Sequence, residues 1–89
     1  MRVIDTSDSK WIQIECGLEH TVGLTKYGEV FTWGSNDNGQ LGHGDMLSRE
    51  IPTKVAGLGG LVIAEIACGG YYTAALTDKG EIFIWYVQS

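Results

Sequence analysis

Four side chains in this sequence could ligate a soft metal or carry a reactive thiol: Cys16, His20, His43 and Cys68. A structural zinc site wants its ligands in close pairs such as Cys-x-x-Cys, and no such pair is present. Cys16 and Cys68 instead lie 52 residues apart. Each is followed by glycine, so the two read as equivalent positions of a repeat and as small packed residues, neither a disulfide nor a metal pair. The acids Asp5, Asp8, Glu15, Glu19, Glu29, Asp37, Asp45, Glu50, Glu65, Asp78 and Glu81 are dispersed, with no pair that reads as a general acid and base. Ser35 and Ser48 lack the pattern of an activating base. The glycine-rich run Gly34 to Gly44 could be imagined around a phosphate. A phosphate loop, however, opens a helix and carries Lys and Ser/Thr at fixed places, and this run does neither. No catalytic residue, cofactor or metal is expected, and the chain is not read as an enzyme.

The elements that would position these residues follow from self-similarity. Ile14-Glu15-Cys16-Gly17 through Trp33 aligns without a gap on Ile66-Ala67-Cys68-Gly69 through Trp85. Cys16, Gly17, Thr21, Leu24, Thr25, Gly28, Glu29, Phe31 and Trp33 all recur at the same step of 52 residues. A period near 50 suits a four-stranded propeller blade better than a helical repeat. Short β-prone runs agree with this: Thr21–Thr25 and Glu29–Trp33 flank Lys26-Tyr27-Gly28, a hairpin loop whose glycine supplies a positive φ, and Asp78-Lys79-Gly80 repeats it. Ile12–Ile14 and Val62–Ile66 read as preceding strands, and Thr53–Val55 as a short one between the copies. No segment carries an apolar stripe at helical spacing. The fold class is all-β, with Leu24, Phe31, Trp33, Leu76, Phe83 and Trp85 expected in the core.

These residues carry a resemblance. Cys-Gly-x-x-His-Thr, Leu-Thr-x-x-Gly-Glu-Val-Phe-x-Trp-Gly and Asn-x-x-Gly-Gln-Leu-Gly-x-Gly closely resemble the regulator-of-chromosome-condensation repeat, from about Trp11 to Trp85. The resemblance implies a partial β-propeller of four-stranded antiparallel blades, under two blades of the seven in an intact member. Residues 1–10 are then a lead-in, 11–61 the first repeat and 62–89 a second, incomplete one. The family pattern has glycine after Trp85, where this chain has Tyr86-Val87-Gln88-Ser89. A light-sensing member carries Gly-Trp-Arg-His-Thr segments; Gly17-Leu18-Glu19-His20-Thr21 lacks both the tryptophan and the arginine.

Thirteen glycines and one proline among 89 residues agree with many tight turns. A net charge of −5 speaks against direct contact with nucleic acid or an anionic membrane surface, since phosphate binding needs clustered Lys and Arg. No stretch reads as a signal peptide or a membrane span, and two cysteines in that context suggest reduced thiols in cytoplasm or nucleus. Function is therefore expected at the rim, where propeller loops meet other proteins. The candidate contacts are Asp37 and Asn38, Asp45, Met46, Arg49 and Glu50 in one connection, and Tyr71 and Tyr72 in the second turn. The resemblance implies a protein-binding scaffold, or part of an exchange factor for a small Ran-like GTPase. Exchange would need an intact propeller face and an inserted β-wedge, and 45–52 is short for such an insertion. Less than two blades would also leave edges and faces through which the chain could associate with itself.

Overall fold

Each repeat is built around a Thr-x-x-Gly-Glu hairpin. The Thr25 hydroxyl accepts from the amides of Tyr27 (3.2 Å) and Glu29 (3.3 Å), and the Thr77 hydroxyl from Lys79 (3.3 Å) and Glu81 (3.0 Å). The turn glycines Gly28 and Gly80 adopt φ of 78° and 87°, which a side chain would resist. The backbone of Glu29 and Glu81 closes each hairpin, their carbonyls accepting from the amides of Thr25 and Thr77 at 3.0 and 2.8 Å, and the Glu29 carboxylate pairs with Lys54 at 2.8 Å.

The computed structural model describes residues 11–37 and 39–85. The chain is all-β: β1 (Trp11–Cys16), β2 (His20–Thr25), β3 (Val30–Gly34) and β4 (Arg49–Lys54) form one antiparallel sheet in that order. After a single 3-10 turn, β5 (Ile63–Cys68), β6 (Thr73–Thr77) and β7 (Ile82–Trp85) form a second. The registers match position by position, down to an irregularity between Trp11 and Gln13 and again between Ile63 and Glu65. No helix of the described residues is long and apolar enough to cross a membrane.

Residues paired across an antiparallel ladder share a face, so the registers sort the side chains. One face of the first sheet carries Gln13, Val22, Leu24, Val30 and Thr32; the other carries Ile14, Cys16, Gly23, Phe31 and Trp33. The sheets pack so that the first of these faces meets the second sheet's Ile66, Ala75 and Phe83. Val22, Leu24 and Val30 join Val55, Leu58, Ile63, Ile66 and Ala75 in the core, with Cys68, Phe83 and Trp85 against it. A fully buried Val or Leu stabilises by about 1.5–3 kcal/mol, so this layer holds the two repeats together. The Gln13 side chain adds a clamp, donating to the Ile66 carbonyl (2.8 Å) and accepting from the Ile66 amide (3.2 Å).

Three expectations need correction. Arg49 and Glu50 lie in β4, not in a loop: the strand begins four residues earlier than Thr53, pairing Gly34 with Arg49 through an irregular register. Of the six residues expected in the core, Leu24 and Trp33 are buried, but Phe31, Leu76, Phe83 and Trp85 are half-buried. Phe31 and Leu76 point to the outward faces, while Phe83 and Trp85 sit on an edge strand. Cys16 is exposed although its counterpart Cys68 is half-buried, because only the face holding Cys68 is covered by another sheet.

Candidate functional site

Chain direction brings the β1–β2 turn, the 35–48 connection and the β5–β6 turn to one end of the paired sheets. Gly17 and Gly69 permit the two turns. A Cβ at Gly17 would collide with the His20 imidazole, and one at Gly69 with the Tyr72 ring. In both turns the glycine amide donates to the carbonyl of the residue three along, at 2.8 Å and 3.1 Å. The turns also join each other: the Leu18 amide donates to the Gly70 carbonyl at 3.1 Å, and His20 Nε2 lies 3.1 Å from the Tyr72 carbonyl. Burial lowers the His20 pKa, against a smaller raising effect of that carbonyl, so the ring is neutral and donates through Nε2.

The long connection is organised from within by Asn36, which is fully buried. Its Nδ2 donates to the Asp45 carbonyl (2.9 Å), the Asp45 carboxylate (2.9 Å) and the Leu47 carbonyl (3.0 Å), and its Oδ1 accepts from the Leu41 amide (3.0 Å). Asp45 is in turn held by Arg49 (3.0 Å) and by the Leu47 amide (3.0 Å), which keep its carboxyl below its ordinary pKa. Farther along, the Thr32 hydroxyl donates to the Leu41 carbonyl (2.7 Å) and lies 2.9 Å from His43 Nε2, drawing the loop over the first sheet. Burial and the Arg49 charge lower the His43 pKa. Gly42, with φ of 77°, meets Trp85 so closely that a Cβ there would lie 2.9 Å from the indole.

Two depressions result. The larger, about 670 Å³, is lined by the β1–β2 turn with Cys16 and Leu18, by Trp33, and by Ser48, Arg49 and Glu50. The smaller, about 330 Å³, lies between Gly39–Met46 and Ile84–Trp85. Of the predicted contact residues, Arg49 and Glu50 border the larger and Asp45 and Met46 the smaller, with the Asp45–Arg49 ion pair linking the two. Tyr71 and Tyr72, 52% and 44% exposed, stand on the turn bonded to Leu18. Asp37 is exposed and borders neither depression, and Asn38 lies outside the described residues. Sequence reasoning missed Leu18, 69% exposed at the groove lip, and Asn36, whose signal was an Asn in a glycine-rich connection. Among the described residues no three of His, Cys, Asp and Glu are grouped to hold a metal ion.

Two models of the regulator of chromosome condensation (RCC1) repeat match residues 27–76 and 11–40. The chain belongs to the RCC1 repeat family. It is 36% identical over 86 residues to Ras guanine nucleotide exchange factor C of Dictyostelium discoideum, which covers 90% of this chain and 6% of that protein. It superposes on human WBSCR16 with a TM-score of 0.82 at 32% identity, covering 85% of this chain and 19% of that one. Prp20p of Saccharomyces cerevisiae, whose binding to Gsp1p and histones has been described, gives a TM-score of 0.77 at 27% identity, covering 92% and 20%. The chain therefore spans a fifth or less of these relatives, as a partial β-propeller of one four-stranded and one three-stranded sheet.

Proposed function

We propose that this chain is a protein-binding propeller segment, an interaction scaffold whose contact surface is the rim bearing Leu18, Arg49, Glu50, Tyr71 and Tyr72. The observation that carries this reading is the Leu18–Gly70 hydrogen bond, which sets the β5–β6 turn beside the β1–β2 turn that lines the larger groove. Tyrosine and arginine are among the residue types that dominate protein interfaces. With 11–61 and 62–89 as its two units, the rim runs across both. Cytoplasm or nucleus is the location we assign, supported by the two free thiols.

Exchange on a small Ran-like GTPase is the second reading, supported by the relatives named above as an exchange factor and as a binder of Gsp1p. Binding of a Ran-type GTPase and of histones to immobilised chain tests the scaffold. Tyr71→Ala and Arg49→Glu should each weaken capture of whichever probe binds, by roughly tenfold or more. Binding unaffected by both changes would remove the rim from the account. Release of labelled GDP from the GTPase separates the readings, since a scaffold leaves that rate unchanged.

A third reading, self-association, is favoured by a specific observation. Ile14 (43% exposed) on the first sheet and Ile82 (65%) and Ile84 (53%) on the second leave apolar surface open on both outward faces.

A further inference from the structure

The contact between the two sheets is itself a pattern for a contact between chains. The face of the second sheet turned toward the first carries Ile66, Cys68, Ala75, Phe83 and Trp85. Their counterparts one repeat earlier, Ile14, Cys16, Gly23, Phe31 and Trp33, make up the outward face of the first sheet. Conversely, the covered face of the first sheet carries Val22, Leu24 and Val30. Its counterpart, the outward face of the second sheet, carries Ala74, Leu76 and Ile82. Each outward face thus repeats one half of an interface that the chain already forms within itself, with the Trp11 ring lying over Gly23 and against Phe31 and Trp33 where the second sheet has Ile63.

Among the positions where the two copies differ, one bears on the polar part of this contact. Gln13 clamps the edge of β5 by donating to the Ile66 carbonyl and accepting from the Ile66 amide. Its counterpart is Glu65, exposed and on the same face as Leu76. A carboxylate there accepts from an amide, but it sets a second negative oxygen against the adjoining carbonyl and has no N–H to give. The equivalent target is the backbone of Ile14, on β1, the edge strand of its sheet. Among the described residues no side chain is hydrogen-bonded to it.

We propose that the outward face of β5–β7 docks the outward face of β1–β3 of a second copy, head to tail, with Glu65 in the place of Gln13 holding that contact weak. The proposal rests on the self-association reading and adds its geometry and its brake. The contact is heterologous, since two different surfaces meet, so it extends chain by chain where a symmetric pair would stop at two. An exposed edge or face kept weak by an inward-turned charge is a recognised defence against such growth.

Sedimentation velocity of the 89-residue chain over a micromolar concentration series tests it. Glu65→Gln restores the missing donor and should tighten association by roughly tenfold, the worth of one buried hydrogen bond. Ile82→Lys on one face and Ile14→Lys on the other should each abolish growth. An equimolar mixture of these two variants should form a species of two chains and no larger, because each retains the face that the other has lost. Where circular dichroism shows either variant unfolded, Ile84→Lys and Ile14→Ser take their places. A wild type and Glu65→Gln that both remain monomeric would remove the self-association reading itself. Association that survives the lysine changes would leave that reading intact and overturn the docking face. Unchanged affinity in Glu65→Gln would remove the brake.

Discussion

The two repeats share a register residue for residue, yet the same side chain lives in different surroundings in each. Trp33 is 6% exposed, with the Trp11 ring at 5.9 Å, and Trp11 in turn stands edge-on to Phe31 at 5.4 Å. Trp85, at the equivalent position, is half-buried and lies against Gly42 in the first repeat's connection. His20 is 3% exposed at a turn where Tyr72 is 44% exposed. Cys68 has its thiol pKa pushed up to about 12, first by burial and then by the Glu15 charge, while Cys16 faces outward. The lesson is that a repeat fixes the path of the backbone, whereas burial depends on what lies over each face: the first sheet over Cys68, but the Trp11 ring beside Trp33.

The largest test of this difference is at the two tryptophans. Trp33→Ala should destabilise by about 3–5 kcal/mol, the range for a buried aromatic truncated in a core. Trp85→Ala should cost about half as much or less, because part of its surface is already in water. Urea unfolding of both variants checks the ratio; equal losses would mean that the two sites are alike.

A smaller contrast is expected at the turn glycines. Gly17→Ala drives a methyl into the buried His20 ring and close to the Gly69 carbonyl, and should cost about 1–3 kcal/mol. Gly69→Ala has its three nearest neighbours in the Tyr72 ring, which is exposed enough to swing aside, and should cost less than ~1 kcal/mol by the same comparison. Thermal melts of the pair measure the difference.

Smaller still is the effect of pH. The His20 and His43 pKa values are both lowered by burial from the ordinary imidazole value of 6.5, so the unfolded chain binds more protons than the folded one just below that value. Stability should therefore be full above about pH 6.5 and fall as the solution is acidified through the window beneath it. The equivalent position of the second repeat carries Tyr72 in place of an imidazole. His20→Tyr should accordingly flatten the dependence measured by melts between pH 7.5 and 5.5. A slope that is unchanged would place the imidazole's protonation outside the folding equilibrium.

Much of this architecture was legible. The 52-residue step predicted the hairpins, because Thr25-x-x-Gly28-Glu29 and Thr77-x-x-Gly80-Glu81 form their turns through local backbone bonds. Strand β4 was read short because Ser48-Arg49-Glu50-Ile51-Pro52 has loop chemistry. It forms a strand only as a sheet edge, where a proline is tolerated. The exposure of Cys16 and the outward turn of Phe31 were not legible, since repeat equivalence says nothing about which copy has a neighbour. At the rim, the placement of Tyr71 and Tyr72 beside the groove depends on the Leu18–Gly70 bond between two turns 52 residues apart. Asn36 and Gln13 escaped notice for a related reason: each acts on partners distant in sequence, and Gln13 changes to Glu65 in the second copy.

The most direct test of two repeats with one backbone path and different cover is amide hydrogen exchange at a single pair of equivalent residues. The Ile66 amide is held by the Gln13 side chain, and the Ile14 amide lies on the edge strand of the other sheet. Ile66 should exchange slowly, and should lose its protection in Gln13→Ala, while Ile14 exchanges fast in both proteins. Equal protection at the two sites, or an Ile66 amide indifferent to the loss of Gln13, would contradict the packing of the second sheet on the first.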